Sequence, residues 1–209
     1  MVRSRSWNKD REKVYPKRVS GRFRNLKWFA LIALLAIYWI VPWLRWDRGP
    51  SAPHQAVLID MDQGRAYFFF IEIWPQEVYY ITGILILAAI GLFLATSLFG
   101  RIWWGYGCPQ TVWTDLFMLV ERYIQGDRNA RMRLDNAPWS LEKITKIGAT
   151  HMAWIVISLL TGGAFVLYFN DAPTLIVNIV TGNASMAVYV TMAFLTFSTY
   201  LLAGWAREQ

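Results

Sequence analysis

Cys108 is the one thiol in a chain of 209 residues, and it stands directly before a proline in the string GYGCPQTVW. A lone sulfur excludes an internal disulfide framework, and it excludes any zinc or iron-sulfur site ligated by this chain's cysteines alone. A metal at Cys108 would have to borrow its other ligands. Pro109 suits the first position of a helix, which makes Cys108 the N-cap residue, where the helix dipole and free amide protons favour a thiolate or an anionic group. An inert cysteine packed under a turn fits the same letters. His54, beside prolines in GPSAPHQ, reads as a solvated loop residue. His151 lies near one end of an apolar stretch, and no second histidine faces it within such a stretch, which disfavours bis-histidine haem. Met61, Met118, Met132, Met152, Met186 and Met192 are too scattered for a thioether copper track and suit core filling.

The elements that must position these residues are apolar. The chain is 56% hydrophobic and 17% charged, far from a soluble average. Four runs are long enough to cross a bilayer, at about 28–44, 78–100, 147–170 and 184–206. They are apolar on all sides, unlike the one-sided helices of a soluble core. The fold class expected is therefore an all-α integral membrane protein with four transmembrane helices, a lipid bilayer being its first partner. The interior of the runs carries no Asp, Glu, Lys or Arg, which argues against an ion-coupled transporter. Residues 1–26 form a basic segment, 27–206 the membrane domain and 207–209 a short end.

The net charge of +7 and pI near 9.7 would suit a nucleic-acid binder if the cations lined a folded surface. Ten of the 21 lysines and arginines instead lie between Arg3 and Lys27, immediately before the first run, as a juxtamembrane anchor does. Nucleic acid is not an expected partner. The Arg101 to Lys146 loop holds seven more, the Arg45 to Glu77 loop three, and the Asp171 to Ser185 loop none. The positive-inside rule then places both termini in the cytoplasm and two loops outside. Trp28, Trp39, Trp43, Trp46, Trp103, Trp154 and Trp205 suit interfacial belts or simple aromatic filling.

The first outer loop, AVLIDMDQGRAYFFFI, has two apolar runs around Asp62, Gln63 and Gly64 and predicts a small periplasmic β-hairpin. Pro75 suits the first turn of the second helix and Ser140 the N-cap of the third. In the inward loop, Val112, Leu116, Val120 and Tyr123 or Ile124 recur at helical spacing and predict one amphipathic helix lying in the cytoplasmic interface. The alternating charges of Asp127 to Asp135 read as a solvated surface, or as a contact with anionic lipid or a partner.

GRIWWGYGCPQTVWTDLF, ERYIQGDRNARMRLD, YPKRVSGRFRNLKW, LRWDRGP, VLIDMDQGRAYFFFIEIWPQEVYY and TYLLAGWAREQ together resemble the CcoG/RdxA/FixG family of cytochrome c oxidase accessory proteins, from about Val14 to Gln209. The resemblance implies a multi-pass protein of the bacterial inner membrane. Such proteins carry electrons through 4Fe-4S clusters and assist assembly of cbb3-type oxidase, with reduction of copper(II) to copper(I) as the proposed role, copper being substrate and oxidase assembly factors or subunits being partners. Cuprous ion is the form that soft ligands select. Two departures stand out. The family has cysteine at both ends of a CxxxCP turn, at positions corresponding to 104 and 108, whereas this chain has Trp104 and Cys108. Either the turn is inactive here or Cys108, the one candidate cofactor ligand, works with a group from another segment. The family also continues into a ferredoxin-like cluster domain that these residues do not include, so the stretch matches the N-terminal membrane portion. Enzyme status stays open on this reading: the resemblance implies a metal-reducing oxidoreductase, while the residues present equally suit a non-catalytic membrane scaffold for partner subunits.

Overall fold

The computed structural model describes residues 15–17, 20–49, 52–100 and 103–206. Most of the basic segment, Arg101 and the end at 207–209 lie outside the described residues.

Helix α1, Arg22–Ile40, begins upstream of the expected run, because Arg22, Arg24 and Lys27 are good helix formers that extend it beyond the apolar stretch. Pro42 then ends it in a tight turn, Val41–Trp43. A three-stranded antiparallel sheet follows, with β1 Val57–Asp60, β2 Arg65–Phe68 and β3 Ile71–Ile73 in that order. The expected hairpin is its first pair, Asp60 facing Arg65. Asp60 Oδ1 accepts the backbone N–H groups of Asp62 and Gln63, both at 3.0 Å, and Gly64 takes the positive φ of 67° that closes the turn. The third strand is the part not foreseen, since Ile71–Ile73 is too short to show alternation.

Helix α2, Val78–Phe99, follows the Pro75–Glu77 turn, as its proline suggests. A wide turn at Trp103–Gly107 leads into α3, Pro109–Gln125, then α4, Arg128–Asn136, and α5, Leu141–Val166. The Ser140 hydroxyl accepts from Lys143 N–H at 3.3 Å, so the cap is real and starts α5 ahead of the apolar run. The loop expected between the last two spans contains a short helix, α6, Ala172–Thr181, with Asp171 as its cap. Helix α7, Met186–Thr199, continues as a wider-pitched segment, Tyr200–Trp205. Four helices, at Arg22–Trp43, Pro75–Phe99, Leu141–Val166 and Met186–Gly204, are thus long and apolar enough to cross a membrane.

The placement of α3 corrects the sequence reading. Gln125 bonds Thr150, Phe117 stacks on Trp154 with centroids 5.4 Å apart, and Trp113 donates to Thr161 at 2.8 Å. As the α3 numbers fall the α5 numbers rise, so the two run antiparallel side by side for roughly 16 Å. On its other side α3 sets Val112 between Leu31 and Leu35 of α1. A helix lying flat in an interface would cross the spans; this one runs along them, and its apolar stripe is taken up by helices on two sides.

At the sheet end, Gln55 is fully buried and its amide is fully used. Its Nε2 donates to Leu167 O and Val57 O, and its Oε1 accepts from Ala172 N–H at 3.0 Å. Arg48 donates to four backbone carbonyls, those of Pro53, Gln55, Ala56 and Phe69. Arg45 pairs with Asp171 at 2.7 Å. Partial burial pushes the Asp171 carboxyl up, but the hydrogen bonds from Arg45 and Thr174 and the Arg45 charge pull it further down, to a net value below the ordinary.

Helices α5 and α7 approach closely at Gly162, where an added Cβ would lie 2.8 Å from both Met192 O and Thr196 Oγ1. Nothing lies within 4 Å of a Cβ at Gly163. Gly162→Ala is expected to destabilise the fold by about 1–3 kcal/mol through overpacking, and Gly163→Ala to leave it unchanged or slightly stabler. Thermal melts of the detergent-solubilised variants check this, and equal melting temperatures would contradict the close approach.

Candidate functional site

Cys108 caps α3 in extended conformation, with Pro109 at the first helical position, as its letters require. Its backbone N–H bonds Trp103 O at 2.9 Å and its carbonyl accepts from Val112 N–H at 3.1 Å. Its half-buried side chain makes no capping hydrogen bond. Four residues earlier, the Trp104 side chain is mostly exposed, and its carbonyl accepts from Thr111 Oγ1 at 2.7 Å. The turn is therefore well tied by its backbone.

Its location differs from expectation. Because α3 runs along α5, the Cys108 turn lies at the level of Tyr38 and Thr161, far along the bundle from the end that holds Gln125 and Thr150. Gly107 and Pro109, on either side of the thiol-bearing residue, line a cavity of about 600 Å³ with Tyr38, Trp113, Thr161 and Leu202. The cavity is mainly apolar, and the polar groups of Tyr38, Trp113 and Thr161 are engaged with one another. Tyr38 Oη donates to Thr161 O and Trp113 Nε1 to Thr161 Oγ1, each at 2.8 Å. Trp113 meets Tyr38 edge-on at 5.6 Å.

The charged chemistry lies further along α3, with Asp115 about 10 Å from Cys108 and Glu121 near the opposite end. Asp115, 3% exposed, lies 2.7 Å from Lys27 Nζ and 3.3 Å from Arg24 Nη1. Glu121 and Arg131 are also nearly fully buried and pair at 2.8 Å. Arg131 belongs to the run expected to be a solvated face. It is covered instead because α4 folds back over α3, and the Tyr15 ring lies 5.7 Å from its guanidinium. Tyr15 Oη donates to Asp135, and Lys143 Nζ donates to the carbonyls of Asp135 and Ala137. These ties make Arg131 and Asp135 structural, while Asp127, Arg128, Asn129, Met132 and Arg133 are exposed, as expected of a solvated face.

His151 Nδ1 lies 2.9 Å from Tyr200 Oη. With Glu121, Gln125, Arg131 and Trp154 they line a cavity of about 410 Å³ at this end. His54, 3.9 Å from Asp47, stays exposed at the sheet end. The structure thus brings neither histidine to Cys108. Glu121, Arg131 and Tyr200 were missed as a group, although one signal was available. Phe117 and Glu121 are four residues apart on one face of α3, so a carboxylate falls in the buried stripe and needs a cation.

Comparison with known proteins now bears on this arrangement. The chain is 58% identical over 199 residues to Protein RdxB of Cereibacter sphaeroides, covering 95% of this chain and 42% of that protein. It is 56% identical over 199 residues to Nitrogen fixation protein FixG of Rhizobium meliloti, covering 95% of this chain and 38% of that one. Protein RdxA of Cereibacter sphaeroides is 53% identical over the same length, with 42% of it covered. These relatives belong to the CcoG/RdxA/FixG family, to which the chain is similar over 95% of its length. The chain spans about two fifths of the length of these relatives. No family model and no solved structure matches it.

The Glu121–Arg131 pair gives a direct test of that end. Arg131→Met removes the buried cation paired with Glu121 and is expected to cost up to about 3–5 kcal/mol. Glu121→Leu combined with Arg131→Met removes both charges and is expected to recover most of that loss. Melting temperatures of the two variants in the same detergent separate a paired buried charge from a solvated one, for which both changes would be near neutral.

Proposed function

We propose that this chain is the membrane-anchoring portion of a redox accessory protein of the bacterial inner membrane. It would assist assembly of cbb3-type cytochrome c oxidase by helping to reduce copper(II) to copper(I), with the copper ion as substrate. The observation that carries the reading is similarity to members of that family at 53–58% identity over 95% of the chain, together with a thiol held at a helix start beside a cavity. In this reading the four apolar helices span the bilayer with both termini in the cytoplasm. The basic end of α3 then faces the cytoplasm, and Cys108 lies well inside the membrane.

The iron-sulfur cluster associated with the family does not fit these residues. A 4Fe-4S cluster needs four ligands, usually thiolates. The chain has one thiol, and Trp104 stands where a second is expected. Among the described residues no three His, Cys, Asp or Glu side chains gather to hold a metal. No step through a cluster is therefore assigned here. What these residues do is position: α3 fixes the Cys108 turn against α1 and α5, the cavity beside it excludes charge, and the single electron that copper(II) takes up comes from a donor outside this chain.

The same donor set supports a second reading, a scaffold that holds partner subunits in the membrane without electron transfer by this chain. Iron and acid-labile sulfide in the purified protein test the poor cluster fit that both readings share. Sub-stoichiometric values are expected; one cluster per chain would overturn the poor fit and require a site shared between copies at Cys108. Trp104→Cys, introduced into the family protein with its remaining domains, is expected to raise copper or iron content and cupric-reductase rate. If neither rises, position 104 is not a ligand position in this fold and the scaffold reading gains.

A further inference from the structure

A groove of about 780 Å³ runs between α1 and α3, outside the Cys108 turn and the His151 cavity. Its floor is Leu31 and Leu35, both nearly fully buried, with Leu116. Ile32 and Leu119 form open apolar rims. One end is cationic. Arg24 and Lys27 share the single carboxylate of Asp115, so this cluster keeps a surplus positive charge. Arg122, in the last turn of α3, adds another, and its Nε is shielded from solvent with no hydrogen-bond partner. The other end is Trp39.

We infer that this groove is a binding site for one anionic phospholipid of the cytoplasmic leaflet, its phosphate at Arg24 and Arg122 and an acyl chain along Leu31, Leu35 and Leu116. Three properties select this occupant. From Arg24 to Trp39 the helix rises roughly 22 Å, which matches one leaflet of a bilayer with its headgroups, about 20–22 Å. Charge is confined to one end and, apart from the Trp39 indole N–H, the rest is apolar, which is the polarity of a lipid and not of a soluble anion. The cationic end is also the one that the charge asymmetry assigns to the cytoplasm, where anionic lipids concentrate. The phosphate would supply the acceptor that Arg122 Nε lacks and offset the surplus charge around Asp115. The inference rests on the membrane placement and not on the redox reading.

The test uses the full chain in mild detergent. Native mass spectrometry and thermal melts are run with added phosphatidylglycerol, phosphatidylcholine or inorganic phosphate. Phosphatidylglycerol is expected to stay bound in a one-to-one complex and to raise the melting temperature above that seen with phosphatidylcholine. Arg122→Gln is expected to weaken the anionic preference about fivefold, one surface cation's share, and Arg122→Lys to keep most of it. Ala36→Phe, which fills the groove without touching its charge, is expected to lose lipid of both kinds. Equal effects of the two lipids, or an effect of inorganic phosphate as large as that of phosphatidylglycerol, would overturn the site. So would a dimer that Arg122→Gln dissociates with lipid binding unchanged, because the groove would then hold a second copy. Metal content and reductase activity are not read in this test, so its failure leaves the proposed function standing, and the reverse.

Discussion

The buried carboxylates of α3 govern how the bundle is put together. Asp115 and Glu121 lie on a helix packed against apolar neighbours, where an unpaired charge costs several kcal/mol. Asp115 is met from α1 by Lys27 and Arg24, and Glu121 from α4 by Arg131. Both pairings favour the observed register. Sliding α3 by a turn toward the sheet end of α1 would move Asp115 about 5.4 Å away from its cations. Hydrophobic contact between Val112 and Leu31 or Leu35 tolerates such a slip better, since leucine-rich surfaces offer equivalent holes. The charges therefore specify the position that packing alone leaves loose, and with it the depth of Cys108 at the far end of the same helix.

The sheet end is fixed by a different device. There the irregular backbone between α1 and α2, and between α5 and α6, would leave many carbonyls and amides without partners. Gln55 and Arg48 satisfy a large share of them from two side chains. Both bind carbonyls with fixed hydrogen-bond geometry, so they set angles as well as distances. The chain is thus pinned by ion pairs at one end and by side-chain to backbone bonds at the other. The middle of the bundle is left to aromatic and aliphatic packing such as Phe117 on Trp154.

What could be read from the letters follows from how local each signal is. The four long helices were legible because an all-round apolar run states its own fate, and the caps at Ser140 and Pro109 because they act within one turn. The hairpin at Asp60 to Arg65 was legible through Gly64. The orientation of α3 was not. Amphipathic spacing shows that one face is covered, but says nothing of whether lipid headgroups or other helices cover it. The deciding contacts, Trp113 to Thr161 and Gln125 to Thr150, join residues 48 and 25 positions apart. Arg131 was misread for a related reason. A run of alternating charge usually faces solvent, and only the return of α4 over Glu121 makes one of its cations a buried partner.

That orientation also narrows what Cys108 can do. A thiol at the membrane surface could be reached by ligands from any soluble partner. A thiol at the level of Tyr38 and Thr161 is surrounded by α1, α3, α5 and the end of α7. The cavity beside it is lined there by Leu34, Tyr38, Trp113, Thr161, Phe165 and Leu202, with no imidazole, carboxylate or second sulfur among the described residues. Soft metals such as copper(I) prefer thiolate, thioether or imidazole ligands, and hydroxyl groups already committed to hydrogen bonds are poor substitutes. A single sulfur in this setting can hold an ion only transiently, or with a ligand brought by another molecule. Position 104 is the nearest place on this chain from which a second sulfur would approach along the same turn, and it holds an exposed tryptophan. The backbone of the turn is thus well tied, while Cys108 supplies its one side chain of the kind a soft metal prefers.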